Sequence, residues 1–464
     1  MDAQTQGKTE YRDRASELIT SGRISSAVWF VAWPTVINTL IHLAYNLINR
    51  AFLGHMPGDT SPALAALGVG QVVLMVQQSV MFGISAGASA LTSRFLGAQE
   101  NRDGEEATRQ SLILAVIVGL ASAAPLMLFS VPIARAAGAK PEVVQLAADY
   151  MRIIGYFSVP MFLHWTIVGA LRSAGDARSP LYAGAVIVVL NIVLDWLLIF
   201  GIGAFPRLGV RGAAIATGLS RLVGMAIIVW FLRRSVLGAS LSRFRPHLQW
   251  FGRIMRIGWP AAVQNLLWST AFVAYVKVLA FLPDATVCQA ALTVAITIES
   301  VAFMPGAAYS IAATPLVGQN LGAGNPKRAE RSAWTATWHA VGIMTVVAVL
   351  FLAIPRQLAH LFTPDEPVVR HIVSYLRING VCEPFLAVAM VLTGALQGAG
   401  DTLFPMLVEA LTSWVIRLPL SWLLAVTLGY GAVGAWIAMS VTTFLYGILM
   451  AAWFKAGRWR TAKV

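Results

Sequence analysis

Long apolar runs constrain this chain more than any other feature. Stretches of about 20 residues or more, parted by short polar loops, recur from residue 24 to near residue 455. Each is long enough to cross the roughly 30 Å hydrocarbon core of a bilayer as a helix. None shows the alternating segments of about ten residues that mark a transmembrane barrel. Only 12% of the residues are charged and 57% are hydrophobic, whereas soluble domains hold about a quarter charged residues. The sequence therefore predicts an all-α membrane protein with twelve spanning helices, centred near residues 40, 78, 122, 162, 190, 222, 268, 300, 343, 387, 415 and 443. The polar segment 1–22 precedes an apolar run too long for the core of a signal peptide, so no cleaved leader is expected.

The net charge of +13 follows from this topology. An even number of spans puts both termini on one side, and about 22 of the 34 Lys and Arg fall in the termini and loops of that side. About eight lie on the opposite side and four within spans. Basic residues concentrate on the cytoplasmic side of membrane proteins, so both termini are expected to be cytoplasmic. The excess charge then needs no nucleic-acid partner.

The chain repeats itself. "GALRSAGDARSP" at 169–180 returns as "GALQGAGDTLFP" at 394–405, with seven of twelve residues identical and an offset of 225. The same offset pairs "LGAQEN" at 96 with "LGAGNP" at 321, and "VVQLAADYMRIIG" at 143 with "VVRHIVSYLRING" at 368. Near-identical offsets pair "GVRGAAIA" at 209 with "GAVGAWIA" at 431, and "WPTVIN" at 33 with "WPAAVQ" at 259. Each repeat contains six spans, so the halves share orientation and are related by an axis along the membrane normal. This predicts two pseudo-symmetric six-helix lobes around a central cleft: an N-lobe at 23–234, a basic cytoplasmic linker at 235–252 and a C-lobe at 253–455. Tails at 1–22 and 456–464 complete the chain. Two such lobes rocking about a mid-membrane site are suited to alternating-access transport.

The repeated "GALxxAGD", "LVGQNLGAG" at 316–324, "LNIVLDWLLIFG" at 190–201 and "NLINRAFLGH" at 46–55 together resemble the multidrug and toxic compound extrusion (MATE) family. The resemblance covers both lobes, roughly residues 23–455. It implies a monomeric antiporter in the cell membrane, the inner membrane of a bacterium, that expels amphipathic, often cationic small molecules as protons or sodium flow inward. No cofactor, resident metal or catalytic residue is implied. The Asn and Asp of the family's N-lobe ion site correspond to Asn191 and Asp195. Their i, i+4 spacing places both on one helix face, able to offer oxygens to a cation or to hydrogen-bond a neighbouring helix. The acid that the family usually carries fifteen residues after the first-span proline is replaced here by Asn49, followed by Arg50. The Glu that some members carry eight residues after the proline of the seventh span is replaced by Trp268, with Gln264 one turn earlier. Bending at the first-span proline, Pro34 here, is linked in the family to change in the N-lobe cavity; the alternative is a static kink.

Other acids within spans are Glu299, Glu383 and Glu409. An ionisable group at membrane depth is a functional candidate by default. Glu299 could meet a substrate cation or sit in an interior hydrogen bond. Glu383 lies about a turn from where some family members keep an acid. Glu409 and Arg417 could share one network, and Lys277 is expected to snorkel outward. Asn38, Gln264 and Trp268 are candidates for lining a substrate cavity. Cys288 and Cys382 lack metal-ligand spacing and are read as packing residues, and His42, His164 and His339 likewise.

Arg50 and Asp195 come out at similar depth. The expectation is that the guanidinium either reaches Asp195, filling the ion site with a fixed cation, or turns to the outer interface. "HLFTPD" at 360–365 matches an acyltransferase-like pattern but has no soluble catalytic domain around it. A multidrug antiporter is the leading reading. A flippase or exporter of a lipid-linked or other endogenous metabolite is the nearer alternative, and a membrane-embedded transferase the more distant one.

Overall fold

The computed structural model describes residues 16–54, 61–203, 205–242 and 244–462. Among them there are helices and no strands. Ten helices are long and apolar enough to cross a membrane, and two bent pairs add one span each. The twelve spans are α1 (Ile24–Gly54), α2 (Ser61–Gly97), α3 (Asn101–Leu128), α4 (Pro141–Tyr156 as α4a, Ser158–Ser173 as α4b), α5 (Arg178–Phe200) and α6 (Val210–Arg233). They continue with α7 (Leu248–Leu279), α8 (Ala285–Gly322), α9 (Pro326–Ala353), α10 (Glu366–Gly380 as α10a, Glu383–Ala399 as α10b), α11 (Leu403–Thr427) and α12 (Gly431–Ala456).

The bends recur at equivalent places. α4 turns by 54° around Phe157 and α10 by 59° around Val381–Cys382. Pro384 opens α10b, where a missing N–H leaves no helical bond unmade. Pro34, Pro260 and Pro305 lie inside the continuous helices α1, α7 and α8. Around Pro419 the backbone of α11 widens to π-helical turns on both sides, over Ala410–Arg417 and Leu423–Thr427, a distortion common at functional positions.

Contacts divide the chain into two units, one centred on Ile37–Ala262 and one of Glu17–Val36 with Val263–Val464. They are called the N-lobe and C-lobe below. The boundaries fall inside α1 and α7, two residues past Pro34 and Pro260, whereas the repeat placed the division in the linker 235–252. Local contacts account for this. In the N-lobe the first half of α7 crosses α2 at glycines: a Cβ on Gly83 would lie 2.5 Å from the Gly258 carbonyl, and one on Gly87 2.3 Å from that of Ile254. In the C-lobe the segment before α1 is tied down by Asn320 Nδ2 and Arg328 Nε, both donating to the Ile19 carbonyl at 3.2 and 3.1 Å.

The repeated "GALxxAGD" is explained by packing. A Cβ on Gly169 of α4b would lie 2.5 Å from Ser85 Oγ of α2, and one on Gly394 of α10b would lie 2.0 Å from the Ser310 carbonyl of α8. One turn on, Ser173 Oγ donates to the Ser89 carbonyl, and Gly398 crosses the Thr314 carbonyl. Close backbone approach at small residues is how membrane helices gain dispersion contacts without a hydrophobic driving force. The Asp of the motif is structural too: Asp176 accepts the N–H groups of Arg178 and Ser179 at the start of α5, and Asp401 accepts Trp453 Nε1 at 2.8 Å. Around these crossings the N-lobe core gathers Leu112, Ile167, Leu171 and Ile228, and the C-lobe core Tyr275, Leu292, Ile298, Tyr375 and Trp436.

Candidate functional site

In the N-lobe, Asp195 and Asn191 share a face of α5, 1% and 2% exposed. Asn191 Nδ2 donates to Ser220 Oγ of α6 at 3.3 Å. Both Asp195 carboxylate oxygens and Asn191 Oδ1 lack a hydrogen-bond partner among the described residues. Buried oxygens without partners are uncommon, and here three belong to one helix face. Tyr150 of α4a lies within electrostatic reach of Asp195 and Tyr45. His42, Tyr45, Asn191, Thr217, Ser220 and Arg221 line a small crevice. Asn38 is 8% exposed, its Oδ1 only 2.3 Å from where a Cβ on Gly184 would sit. It packs on α5. The side chains of Asn49 and Arg50 lie outside the described residues, and with them the expected pairing of Arg50 with Asp195.

Sequence reading passed over the basic side of this lobe. Arg172 and Arg221 are largely buried, and both act electrostatically on His42 and His164. Arg221, in the middle of the predicted sixth span, was the available signal, since charges there are rare, whereas Arg172 falls in the last turn of α4b.

The C-lobe has the opposite character. Tyr375 of α10a donates its hydroxyl proton to Glu299 Oε2 of α8. Glu299 and Glu383 lie within electrostatic reach of each other, and Glu383, 1% exposed, has its Oε2 without a partner among the described residues. A hydrogen bond between two such carboxyl groups would require a proton on one of them. The bend in α10 makes the arrangement possible, because it brings Tyr375 before the break and Glu383 after it to the same residue on α8. Arg417 lies within electrostatic reach of Glu299 and of Glu409, and donates through Nε to Thr442 Oγ1 at 2.8 Å. Glu409, 3% exposed, accepts from Ser413 one turn along α11. The sequence presented Glu299 and Glu383 separately; the fold brings them together.

A second polar chain runs through the same lobe. Gln264 Nε2 donates to Tyr446 Oη at 3.1 Å, and Tyr446 meets Thr393 Oγ1 at 3.2 Å. Trp268 is 48% exposed and stacks on Phe303 with ring centroids 6.3 Å apart. His339 contacts Ser25 Oγ at 3.4 Å, and Lys277 is exposed near the end of α7. Both cysteines are free and buried.

The MatE family model matches the chain twice, over residues 34–197 and 260–423. These are the two repeats. A probable multidrug resistance protein NorM of Thermotoga maritima is 29% identical over 94% of this chain and 93% of its own. An FAD transporter of Shewanella oneidensis is 28% identical over 93% and 94%. The outward-facing structure of a multidrug resistance MATE family transporter of the MOP superfamily superposes with a TM-score of 0.89, at 24% identity, over 97% of this chain and 99% of that one.

Proposed function

The chain belongs to the MatE family of membrane transporters, and from that premise we propose that it is a proton-coupled antiporter that exports amphipathic cations by alternating access. One observation carries the choice of proton and of lobe: two carboxyl groups, Glu299 and Glu383, lie within electrostatic reach of each other in the C-lobe, with the Tyr375 hydroxyl on the first. Hard metal cations need several oxygen ligands at once; here Tyr375 already occupies Glu299 Oε2, and Glu383 Oε2 is buried without a partner among the described residues. One open carboxylate oxygen suits a proton better than a dehydrated sodium ion. With one proton the pair carries a single negative charge beside Arg417; with two it is neutral. A cationic substrate stabilises the first state, and proton entry displaces the substrate by producing the second. Competition for one site is sufficient for exchange, because each ligand leaves when the other arrives.

Charge distribution supports assigning cations to this lobe. Its interior holds Glu299, Glu383 and Glu409 against Arg417, whereas the N-lobe interior holds Arg172 and Arg221 against Asp195. That N-lobe basic character favours a second reading, export of an anionic metabolite, in keeping with the relative named an FAD transporter. We place the protein in the inner membrane of a bacterium, as a monomer with both termini cytoplasmic.

Proteoliposomes loaded under separate proton and sodium gradients, with a fluorescent organic cation as substrate, test the proposal. Wild-type protein is expected to respond to the proton gradient alone. Transport driven by sodium alone, or of anions and not cations, contradicts it.

A further inference from the structure

Cys288 was read as a packing residue, yet the fold gives its sulfur two polar neighbours. Asp284 stands in the loop before α8, Cys288 one turn inside α8, and His371 on α10a. Cys288 Sγ donates to Asp284 Oδ1 at 3.2 Å, and His371 Nε2 lies 3.0 Å from Asp284 Oδ2. One ligand atom from each residue falls within 4.8 Å of the other two.

We propose that Asp284, Cys288 and His371 form a binding site for a borderline-soft divalent cation of the zinc type. The donor set is one sulfur, one imidazole nitrogen and one carboxylate oxygen, all common zinc ligands. In a tetrahedral zinc site, bonds of about 2.0–2.3 Å put ligand atoms roughly 3.3–3.8 Å apart. The three ligand atoms lie within 4.8 Å of one another, so binding needs side-chain shifts on the order of 1 Å. The two hydrogen bonds hold the thiol and the imidazole against the two oxygens of one carboxylate. On binding, the thiol proton leaves and the metal replaces both hydrogen bonds with coordinate bonds. Thiolate and carboxylate then supply two negative charges against the two positive charges of the ion. Asp284 keeps 48% of its side chain exposed, which leaves an entry path and a fourth position for solvent.

A hard cation such as magnesium or calcium would instead demand six or more oxygens, and this cluster offers too few. Because the ligands come from α8 and α10a, the ion would pin the two helices that carry Glu299 and Tyr375. Tyr375 is one turn beyond His371 on the same helix.

Cobalt(II) is a suitable probe, since a thiolate ligand gives it a charge-transfer absorption in the near ultraviolet. Purified full-length protein in detergent, with thiols kept reduced by a non-chelating phosphine, is titrated with Co2+ and the bound cobalt is then displaced by Zn2+. The wild type is expected to develop the thiolate–cobalt band and lose it as zinc is added. Cys288→Ser should abolish the band. His371→Gln should weaken zinc binding by at least the roughly 10- to 100-fold that removal of outer-shell partners costs. Cys382→Ser, which alters the other thiol, should keep band and affinity, and unchanged thermal melting without metal identifies variants that remain folded. No band in the wild type, a band that survives Cys288→Ser, or unchanged zinc affinity in His371→Gln overturns the proposal. Binding is measured without transport, so the result is independent of how the antiporter is coupled.

Discussion

Tyr375 links α10a to the acid on α8, donating its hydroxyl proton to Glu299. Replacing it with Phe leaves a buried carboxylate oxygen short of a partner, which costs roughly 1–3 kcal/mol. Tyr375→Phe is therefore expected to lower the apparent melting temperature in detergent by several degrees while retaining proton-coupled transport at a reduced rate. Loss of all transport in a folded Tyr375→Phe protein would mean that the hydroxyl itself moves the proton. The two lobes can also be separated residue by residue. Glu299→Gln should abolish proton-driven export of the fluorescent cation, and Asp195→Asn should leave most of it in place. The reverse pattern would move coupling to the N-lobe. Asp195 and Asn191 were legible through the family resemblance, with their i, i+4 spacing placing both on one helix face. Glu299 and Glu383 were each legible as buried acids but not as partners, because 84 residues separate them in the chain.

Among the elements, α10b depends on glycine. The sequence showed "GALQGAG" as a repeated motif without showing what it does. The structure supplies the reason at Gly398, where a methyl group would lie 2.1 Å from the Thr314 carbonyl of α8. Gly398→Ala must push the two helices apart, and overpacking of this kind costs about 1–3 kcal/mol. Gly342, on α9, has open space where a Cβ would point. Thermal melting should separate the two substitutions, with Gly398→Ala lowered and Gly342→Ala unchanged. Equal effects would mean that the α8–α10b crossing is not tightly packed. Span count and span positions were readable because hydropathy is local. The bend in α4 was not, because it depends on how a short break packs against neighbouring helices, and Phe157 carries no turn signal of its own; in α10 the signal was Pro384, directly after the break.

For the whole molecule, the repeat and the basic-residue count predict the topology. A single cysteine placed at residue 246 in a Cys288→Ser, Cys382→Ser background should react with a membrane-impermeant maleimide only after the membrane is opened. One placed at residue 363 should react in intact cells. The opposite pattern would invert the orientation. The repeat implies two halves of similar make-up, but it could not anticipate that contacts divide the chain within α1 and α7. That division arises from backbone crossings such as Gly83 with Gly258, which no sequence period records.

In the proposed mechanism substrate and proton compete for the carboxyl pair Glu299–Glu383. Adding substrate cation to purified protein in weakly buffered detergent solution and measuring the protons released tests this competition. Release of about one proton per cation bound is expected, undiminished in Asp195→Asn and absent in the Glu299→Gln, Glu383→Gln double variant. Undiminished release from the double variant, or its loss in Asp195→Asn, would contradict it.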